Sequence, residues 1–174
     1  VDLRLTEAGG LQVRTDRLAW GCWCPDQPDR IAPLADADGW WSSGDRAVLG
    51  EGGVQLIGRL DSAVQSGGET VFPEQLEQRL MEAARRQRLP LAAVLLLGVD
   101  DGEWGARLVA LIRPQAGCSE VDLLASLQAV TVDWMAAERP RRWVLCADLA
   151  VSDAGKWRRD HWRRWLERVD AAEA

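Results

Sequence analysis

The sequence predicts an α+β chain built from a short β-rich segment followed by a small three-stranded sheet with flanking helices. Three observations carry this prediction. Short stretches of alternating polarity fill the first 60 residues, Leu91–Val99 is a continuous apolar run, and later segments show helical periodicity. We place a boundary near Asp61, which divides the chain into residues 1–60 and 61–174.

The β-rich segment opens with a predicted hairpin. Residues Val1–Leu5 and Leu11–Arg14 alternate apolar and polar side chains, and a glycine pair ending at Gly10 lies between them. Residues 20–60 continue as short strands separated by proline, aspartate and glycine turns. Among these, Val54–Ile57 is the clearest strand.

The second part alternates helices with strands. Pro73 is suited to the first turn of a helix that continues to Arg86, since proline lacks only a donor that the first turn leaves unpaired. Ser119 resembles a helix cap, and the helix is predicted to run to about Glu138. The remaining predicted elements are strands Leu91–Val99 (buried on both faces), Arg107–Arg113 and Arg142–Cys146, and a helix from Trp157 to about Ala171.

The charge distribution is uneven. The chain has 174 residues and a net charge of −6, which argues against general nucleic-acid binding. Residues 139–168 carry +5, however, so the remainder carries −11. A basic stretch beside an acidic body suits an anionic small ligand, and it equally suits an ordinary solvated helix.

The cysteine content and the apolar runs indicate which metal sites, cellular location and membrane segments to expect. The four cysteines include no Cys-x-x-Cys pair and His161 is the one histidine, so no metal site is predicted. We expect buried, reduced cysteines and a cytoplasmic location. The apolar run Leu89–Val99 is too short to cross a bilayer and no signal peptide is evident, so no membrane segment is expected.

Lys156 is the one lysine among 21 basic residues. A lysine ammonium is a compact point charge on a flexible stem, whereas arginine presents a wide planar fork. Lys156 follows Gly155 in a turn-like segment between an apolar run and the last helix. This position favours a functional cation, although a single lysine surviving in an arginine-biased chain is the plain alternative.

Three motifs in order carry a family resemblance. They are Gly39–Asp45 (G-W-W-S-S-G-D), Gly58–Glu77 (G-R-L-D-S-A-V-Q-S-G-G-E-T-V-F-P-E-Q-L-E) and Gly155-Lys156. Together they closely resemble the C-terminal half of the adenylate-forming acyl- and aryl-CoA synthetases. Val99–Gly105 and Pro140–Trp143 resemble two further stretches of that family. The match spans roughly residues 8–160.

The resemblance implies a fold and a reaction. Residues 1–60 would be the end of the β-barrel subdomain of an N-terminal adenylation domain, and residues 61–174 a mobile C-terminal domain. The family joins a carboxylic acid to ATP as an acyl-adenylate, and CoA then displaces AMP. Lys156 would offset repulsion between the two anions in the first step. Asp45 would bind the ribose hydroxyls and Arg59 the ribose or phosphate.

The remaining implied roles concern movement and the second step. Asp61 matches the hinge about which the C-terminal domain rotates between the two steps. Ser66, Gly67 and Gly68 would then face the adenylate and line the pantetheine tunnel, where glycine permits close approach. Glu69 lies beside them with no settled role.

The chain departs from the family in what it contains. Ser43 replaces a threonine and Asp100 a proline. No glycine-rich phosphate loop is found, and the acyl pocket of the family lies upstream. We therefore expect ATP, CoA and Mg²⁺ to be bound mainly by a missing N-terminal part, and the fragment alone to be inactive.

The substrate and the competing functions stay open. The middle motif is most similar to the o-succinylbenzoate–CoA ligases of menaquinone and phylloquinone synthesis, and the tail to their cyanobacterial branch. Other aryl- or acyl-CoA ligases are the alternative. The Trp157–Trp165 stretch interleaves aromatics and arginines, which leaves a nucleic-acid or membrane role, and a non-catalytic interaction module is a third hypothesis. The sequence does not fix the oligomeric state.

Overall fold

A computed structural model describes residues 1–24 and 26–173. The described chain divides into two compact units, Val1–Ala63 and Val64–Ala174. The strands are β1 Asp2–Leu5, β2 Gly10–Arg14, β3 Gly21–Cys24, β4 Gln27–Pro33, β5 Trp41–Gly50, β6 Gly53–Arg59, β7 Val64–Ser66, β8 Glu69–Val71, β9 Leu91–Asp101, β10 Gly105–Pro114 and β11 Arg142–Leu145. The helices are α1 Pro73–Gln87, α2 Glu120–Thr131 and α3 Arg159–Glu173.

The first unit is a four-stranded antiparallel sheet in the order β1-β2-β5-β6, accompanied by the two-stranded β3-β4 sheet. The predicted opening hairpin is confirmed, since β1 pairs with β2 and Asp2 lies opposite Arg14. The two side chains form an ion pair of 2.8 Å across the strands. The hydroxyl of Thr6 accepts from the backbone N–H of Gly10 and closes the turn.

The second unit contains a five-stranded sheet rather than the predicted three strands. β9 and β10 form a long antiparallel hairpin, and β11 runs parallel to β10 on its other side. β7 joins β10 through the pair Ser66 and Gly105, and β8 pairs with β7. The added strands are three residues each, which is too short for an alternating pattern to reveal them.

Two apolar clusters cover the two faces of this sheet. Leu96 packs on one face with residues of α1 and α2, and Leu95 packs on the other face with residues of α3. Neighbouring residues of β9 therefore enter different clusters, as strand geometry requires. The prediction that this strand is buried on both faces is confirmed.

Helix α2 ends earlier than predicted. Its cap is confirmed, because Ser119 Oγ accepts from the backbone N–H of Asp122 at 3.3 Å. The helix ends at Thr131 and not near Glu138. Thr131 lies in the β-branched run Val-Thr-Val, which is poorly suited to a helix. Beyond it, the Arg139 guanidinium donates to the carbonyl oxygens of Val132 and Trp134 and stabilises a turn instead.

Cysteine burial differs from the expectation as well. Cys146 is buried, and burial raises the pKa of its thiol, but Cys22 is exposed and Cys24 is half-buried. Cys22 lies in the two-stranded β3-β4 sheet, opposite Ala32, and outside both apolar clusters of the second unit. Within residues 1–24 and 26–173, no helix is long and apolar enough to cross a membrane.

Candidate functional site

Asp45 and Arg59 lie opposite each other on β5 and β6 in the first unit. The Asp45 carboxylate is about three-quarters buried and lies 3.6 Å from the Arg59 guanidinium. The Ser43 hydroxyl accepts from the Asp45 backbone N–H at 3.1 Å and donates to the carbonyl of Leu11. Asp45 is thus held on a strand, with a guanidinium beside it and part of its carboxylate open to solvent.

Gly44 explains how this pair fits together. Its backbone has a φ of +78°, which favours glycine. A Cβ on this residue would lie 3.0 Å from Nη2 of Arg59, so a larger residue would displace the guanidinium. Arg59 also donates to the carbonyl of Ser43 at 3.2 Å. The Gly-Asp motif therefore both places the carboxylate and leaves room for the cation.

Asp61 is bound to the same arginine. Its two carboxylate oxygens accept from Nε and Nη2 of Arg59 at 3.1 and 2.7 Å. This hydrogen bonding holds the pKa of Asp61 below its ordinary value. Asp61 is largely exposed and lies two residues before the end of the first unit at Ala63. The structure therefore brings Asp45, Arg59 and Asp61 together.

Ser66, Gly67 and Gly68 form the turn between β7 and β8 in the second unit. Ser66 pairs with Glu69, and Gly67 and Gly68 have φ values of +58° and +87°. This is the two-residue turn that matches strand twist and favours glycine. The Ser66 side chain is fully buried, whereas both glycines are exposed. A ligand at this turn would therefore meet backbone.

Trp104 lies directly over Gly67. The Gly67 N–H donates to the Trp104 carbonyl at 2.9 Å, and a Cβ on Gly67 would approach the indole to 2.5 Å. Asp101 accepts from the backbone N–H of Glu103 and of Trp104, which fixes the turn between β9 and β10. The glycine turn is therefore packed against the β9–β10 turn.

Lys156 lies on an exposed turn just before α3. The turn closes on itself, because the Lys156 carbonyl accepts from the Ser152 N–H at 2.9 Å and the Ser152 carbonyl from the Gly155 N–H at 2.7 Å. Among the described residues, none forms a hydrogen bond or ion pair with the Lys156 ammonium. The cation is thus presented to solvent on a short, folded turn.

The lysine turn and the glycine turn lie at opposite ends of the β9–β10 hairpin. Trp157, next to Lys156, lines a groove with Val94, whereas Gly67 packs at Trp104 beyond the end of β9 at Asp101. Asp101 lies seven residue positions after Val94 along this strand, which corresponds to roughly 23 Å. A small ligand at one turn cannot touch the other.

A buried ion pair that the sequence did not reveal connects α1, β9 and α3. Nη1 of Arg159 donates to the Leu96 carbonyl at 2.8 Å, and Nη2 donates to both oxygens of Glu77 at 2.9 and 3.0 Å. Glu77 in turn accepts from the Leu96 N–H at 2.8 Å. We call this arrangement the edge clamp, because it bonds both backbone groups that Leu96 directs away from β10.

Burial governs the electrostatics of the edge clamp. It raises the pKa of Glu77 from 4.5 to about 7, against the opposing effect of Arg159. Glu74 lies 3.2 Å from the same guanidinium. One sequence signal indicates that Glu77 requires a partner, since it follows Leu76 on the apolar face of α1, but that signal does not identify Arg159.

Relatives of known name cover most of this chain. A 2-succinylbenzoate–CoA ligase of Salmonella typhimurium is 27% identical over 132 residues, which is 76% of this chain and 27% of the relative. A 4-chlorobenzoate–CoA ligase of a Pseudomonas species is 32% identical over 127 residues, 72% of this chain and 22% of the relative. This chain is a homologue of the AMP-forming CoA ligases. No family model matches it.

A solved structure shows which part of these ligases the fold resembles. The wild-type E. coli MenE structure with a bound phenylether-linked analogue has a TM-score of 0.67 and 24% identity, covering 96% of this chain and 34% of that one. The fold resembles the C-terminal region of such AMP-forming CoA ligases. The chain spans about a quarter of the length of the curated ligases it matches.

Proposed function

We propose that this chain is the C-terminal part of an ATP-dependent carboxylate–CoA ligase. The observation that carries the proposal is the placement of two candidate groups at opposite ends of the β9–β10 hairpin. A two-step enzyme needs different groups at one reaction centre in each step. A unit that bears the cation at one end and the glycine turn at the other supplies them by rotating.

In the first step a carboxylate oxygen attacks the α-phosphorus of ATP, and the bond to pyrophosphate breaks. The Lys156 ammonium offsets the repulsion between these two anions and stabilises charge on the transferring phosphoryl group. Asp45 fits the ribose, because its partly exposed carboxylate has two oxygens that can accept from both hydroxyls of a vicinal diol. Arg59 is close enough to Asp45 to contact the same nucleotide.

In the second step the thiolate of CoA attacks the acyl carbonyl, and the bond to AMP breaks. The backbone of Gly67 and Gly68 would then line the path of the pantetheine chain. Both glycines are exposed and lack side chains, so the pantetheine chain can approach their backbone closely. Asp61 is suited to the hinge, since it is exposed and lies next to the boundary between the units.

The described residues contain no cluster of carboxylate, histidine or cysteine side chains able to hold a metal ion. We propose that Mg²⁺, which neutralises the phosphates of ATP in such reactions, is bound mainly by an N-terminal part of the complete protein. The four free thiols suit a cytoplasmic setting.

We propose o-succinylbenzoate as the acid, and hence a role in menaquinone or phylloquinone synthesis. The support is the middle motif of the sequence and the name of the Salmonella relative. Another aryl carboxylate is the alternative, favoured by the name of the Pseudomonas relative. A nucleic-acid role has less support, because Trp162 of α3 is buried and cannot stack on bases.

The test is ATP–pyrophosphate exchange by the complete protein against a panel of carboxylic acids led by o-succinylbenzoate. The Lys156→Ala variant should lose exchange yet still form thioester from preformed acyl-adenylate, because the cation serves only the first step. Arg158→Ala, which changes an exposed neighbour, is the matched control. Equal loss of both half-reactions in Lys156→Ala would refute the separation of roles.

Two other outcomes of the panel have different consequences. Exchange with another aryl acid would keep the mechanism and discard o-succinylbenzoate. Exchange with no acid would refute the ligase proposal.

A further inference from the structure

We propose that Arg159, held by Glu77, is a positioning residue that fixes the turn carrying Lys156 for adenylate formation. The inference rests on the proposed function and deepens it. It begins from a contrast within one short segment: the Lys156 ammonium is exposed and unbound among the described residues, whereas Arg159, three residues later, is tightly bound.

The hydrogen bonds of the lysine turn stabilise its conformation but do not attach it to the sheet. Its hydrogen bonds join Ser152 to Gly155 and Lys156, so they are internal to the turn. These bonds fix the backbone of the lysine turn, but none of them joins the turn to the sheet. Attachment must therefore come from the flanking residues.

Trp157 packs against the apolar cluster on the α3 face, and the edge clamp adds hydrogen-bonded attachment on the same flank of the turn. The Arg159 side chain is mostly buried and reaches the backbone of Leu96 and the carboxylate of Glu77 together. The side chain of Glu77 is about nine-tenths buried and is itself bound to the Leu96 N–H. The three groups form a closed ring of hydrogen bonds, which restricts Arg159 more than a single ion pair would.

Only two residues separate Lys156 from this anchor. A chain of three residues spans at most about 10 Å. As long as Arg159 is held, Lys156 therefore stays within this distance of it. On the other side, the Trp162 indole donates to the Ala150 carbonyl at a longer 3.3 Å. Misplacing a reacting group by about 1 Å can cost on the order of 100-fold in rate.

The guanidinium of Arg159 can bond a carbonyl and a carboxylate at the same time in a fixed geometry, which a lysine ammonium does less well. Arginine donates from two nitrogens in a fixed plane, and here one serves a carbonyl and the other a carboxylate. Lysine at this position would retain the charge without the fork. The segment thus uses a mobile cation at Lys156 and a rigid one at Arg159.

The test uses a double variant of the complete protein, Arg159→Met with Glu77→Gln. Removing Arg159 alone would leave the Glu77 carboxylate buried without its nearest cation and could unfold the domain, whereas removing both charges spares it that penalty. The glutamine can still accept from the Leu96 N–H. Retention of the melting temperature shows that the variant is folded, and Arg158→Met is the matched control.

The first readout is cleavage by a lysine-specific protease, followed by mass spectrometry at the Lys156–Trp157 bond. Lys156 is the one lysine in these 174 residues, so no other bond of this chain is cut. Loss of the anchor should speed cleavage several-fold, because the turn then opens locally more often. The readout does not depend on enzymatic activity.

The second readout is the pair of half-reactions. Adenylation kcat should fall roughly 10- to 100-fold with little change in KM, since the lysine acts on the transition state. Thioester formation from preformed acyl-adenylate should not change. The Arg159→Lys variant should lie between wild type and the double variant.

Three results would overturn the inference. A folded double variant with unchanged cleavage and unchanged adenylation would mean that the pair serves only to cover the β9 edge. Equal loss of both half-reactions would show a general structural effect. If the wild type lacks exchange altogether, the ligase proposal fails by itself, and unchanged cleavage at Lys156–Trp157 would then refute the anchoring as well.

Discussion

Replacing Glu77 by glutamine should change how the free energy of unfolding depends on pH. Burial raises the pKa of this carboxyl from 4.5 to about 7, although Arg159 opposes the change and Glu74 adds to it. A raised pKa means that the folded state binds the proton more tightly than the unfolded state. The contribution of the carboxyl to stability is therefore complete below pH 4.5 and is lost as the pH rises through about 7.

The size of the effect follows from the same two values. Each pKa unit corresponds to about 1.4 kcal/mol, so the wild type should lose up to about 3 kcal/mol relative to Glu77→Gln across this interval. Glutamine is close in volume and can still accept from the Leu96 N–H, so packing is largely preserved. The comparison between the two proteins therefore isolates the titration of Glu77.

The assay is urea unfolding of both proteins between about pH 5 and about pH 8, followed by near-ultraviolet circular dichroism. The wild type should lose stability relative to Glu77→Gln as the pH rises. A difference that does not change with pH would show that Glu77 does not titrate in this range. A wild type that gains stability with rising pH would show that attraction to Arg159 outweighs burial, which contradicts the reasoning.

Further substitutions test other parts of the structure. Gly67→Ala should destabilise the protein by about 2–4 kcal/mol, because backbone strain and a collision with Trp104 add together. Gly68→Ala meets open space and should cost only about 1–2 kcal/mol. Equal losses of stability in urea titrations of the two variants would contradict the packing of Gly67 against Trp104. Leu80→Ala removes a fully buried side chain and should cost about 2–5 kcal/mol, with a loss under about 1 kcal/mol counting against its place in the core. Asp61→Pro should slow the overall ligase turnover by hindering the hinge, and unchanged turnover in the complete protein would refute that role.

Long periodic segments were predictable from sequence because their pattern repeats many times. The helix at Pro73 and the buried strand at Leu91 are examples, and so is the apolar face of the last helix, where Trp162 and Leu166 are buried. β7 and β8 were missed because three residues show no period. The predicted end of α2 was wrong because Arg139 stabilises the carbonyls of a turn that follows Thr131.

The candidate site was predictable where a local motif carries it and not where distant side chains meet. The grouping of Asp45, Arg59 and Asp61 agrees with their nearness in two motifs. The partnership of Glu77 with Arg159 joins residues 82 positions apart, and no local pattern encodes it. The burial of the Ser66 side chain likewise depends on how a short strand pairs with β10.

The edge clamp also has a mechanical consequence. Helices α1 and α3 contribute to apolar clusters on different faces of one sheet, and the contacts within such clusters have little directional preference. In the edge clamp, Glu77 of α1 and Arg159 of α3 bond to each other and to Leu96 of β9. These hydrogen bonds connect the two helices and the sheet between them at one point. In the proposed rotation, the edge clamp would help α1, β9 and the start of α3, three residues after Lys156, to move together.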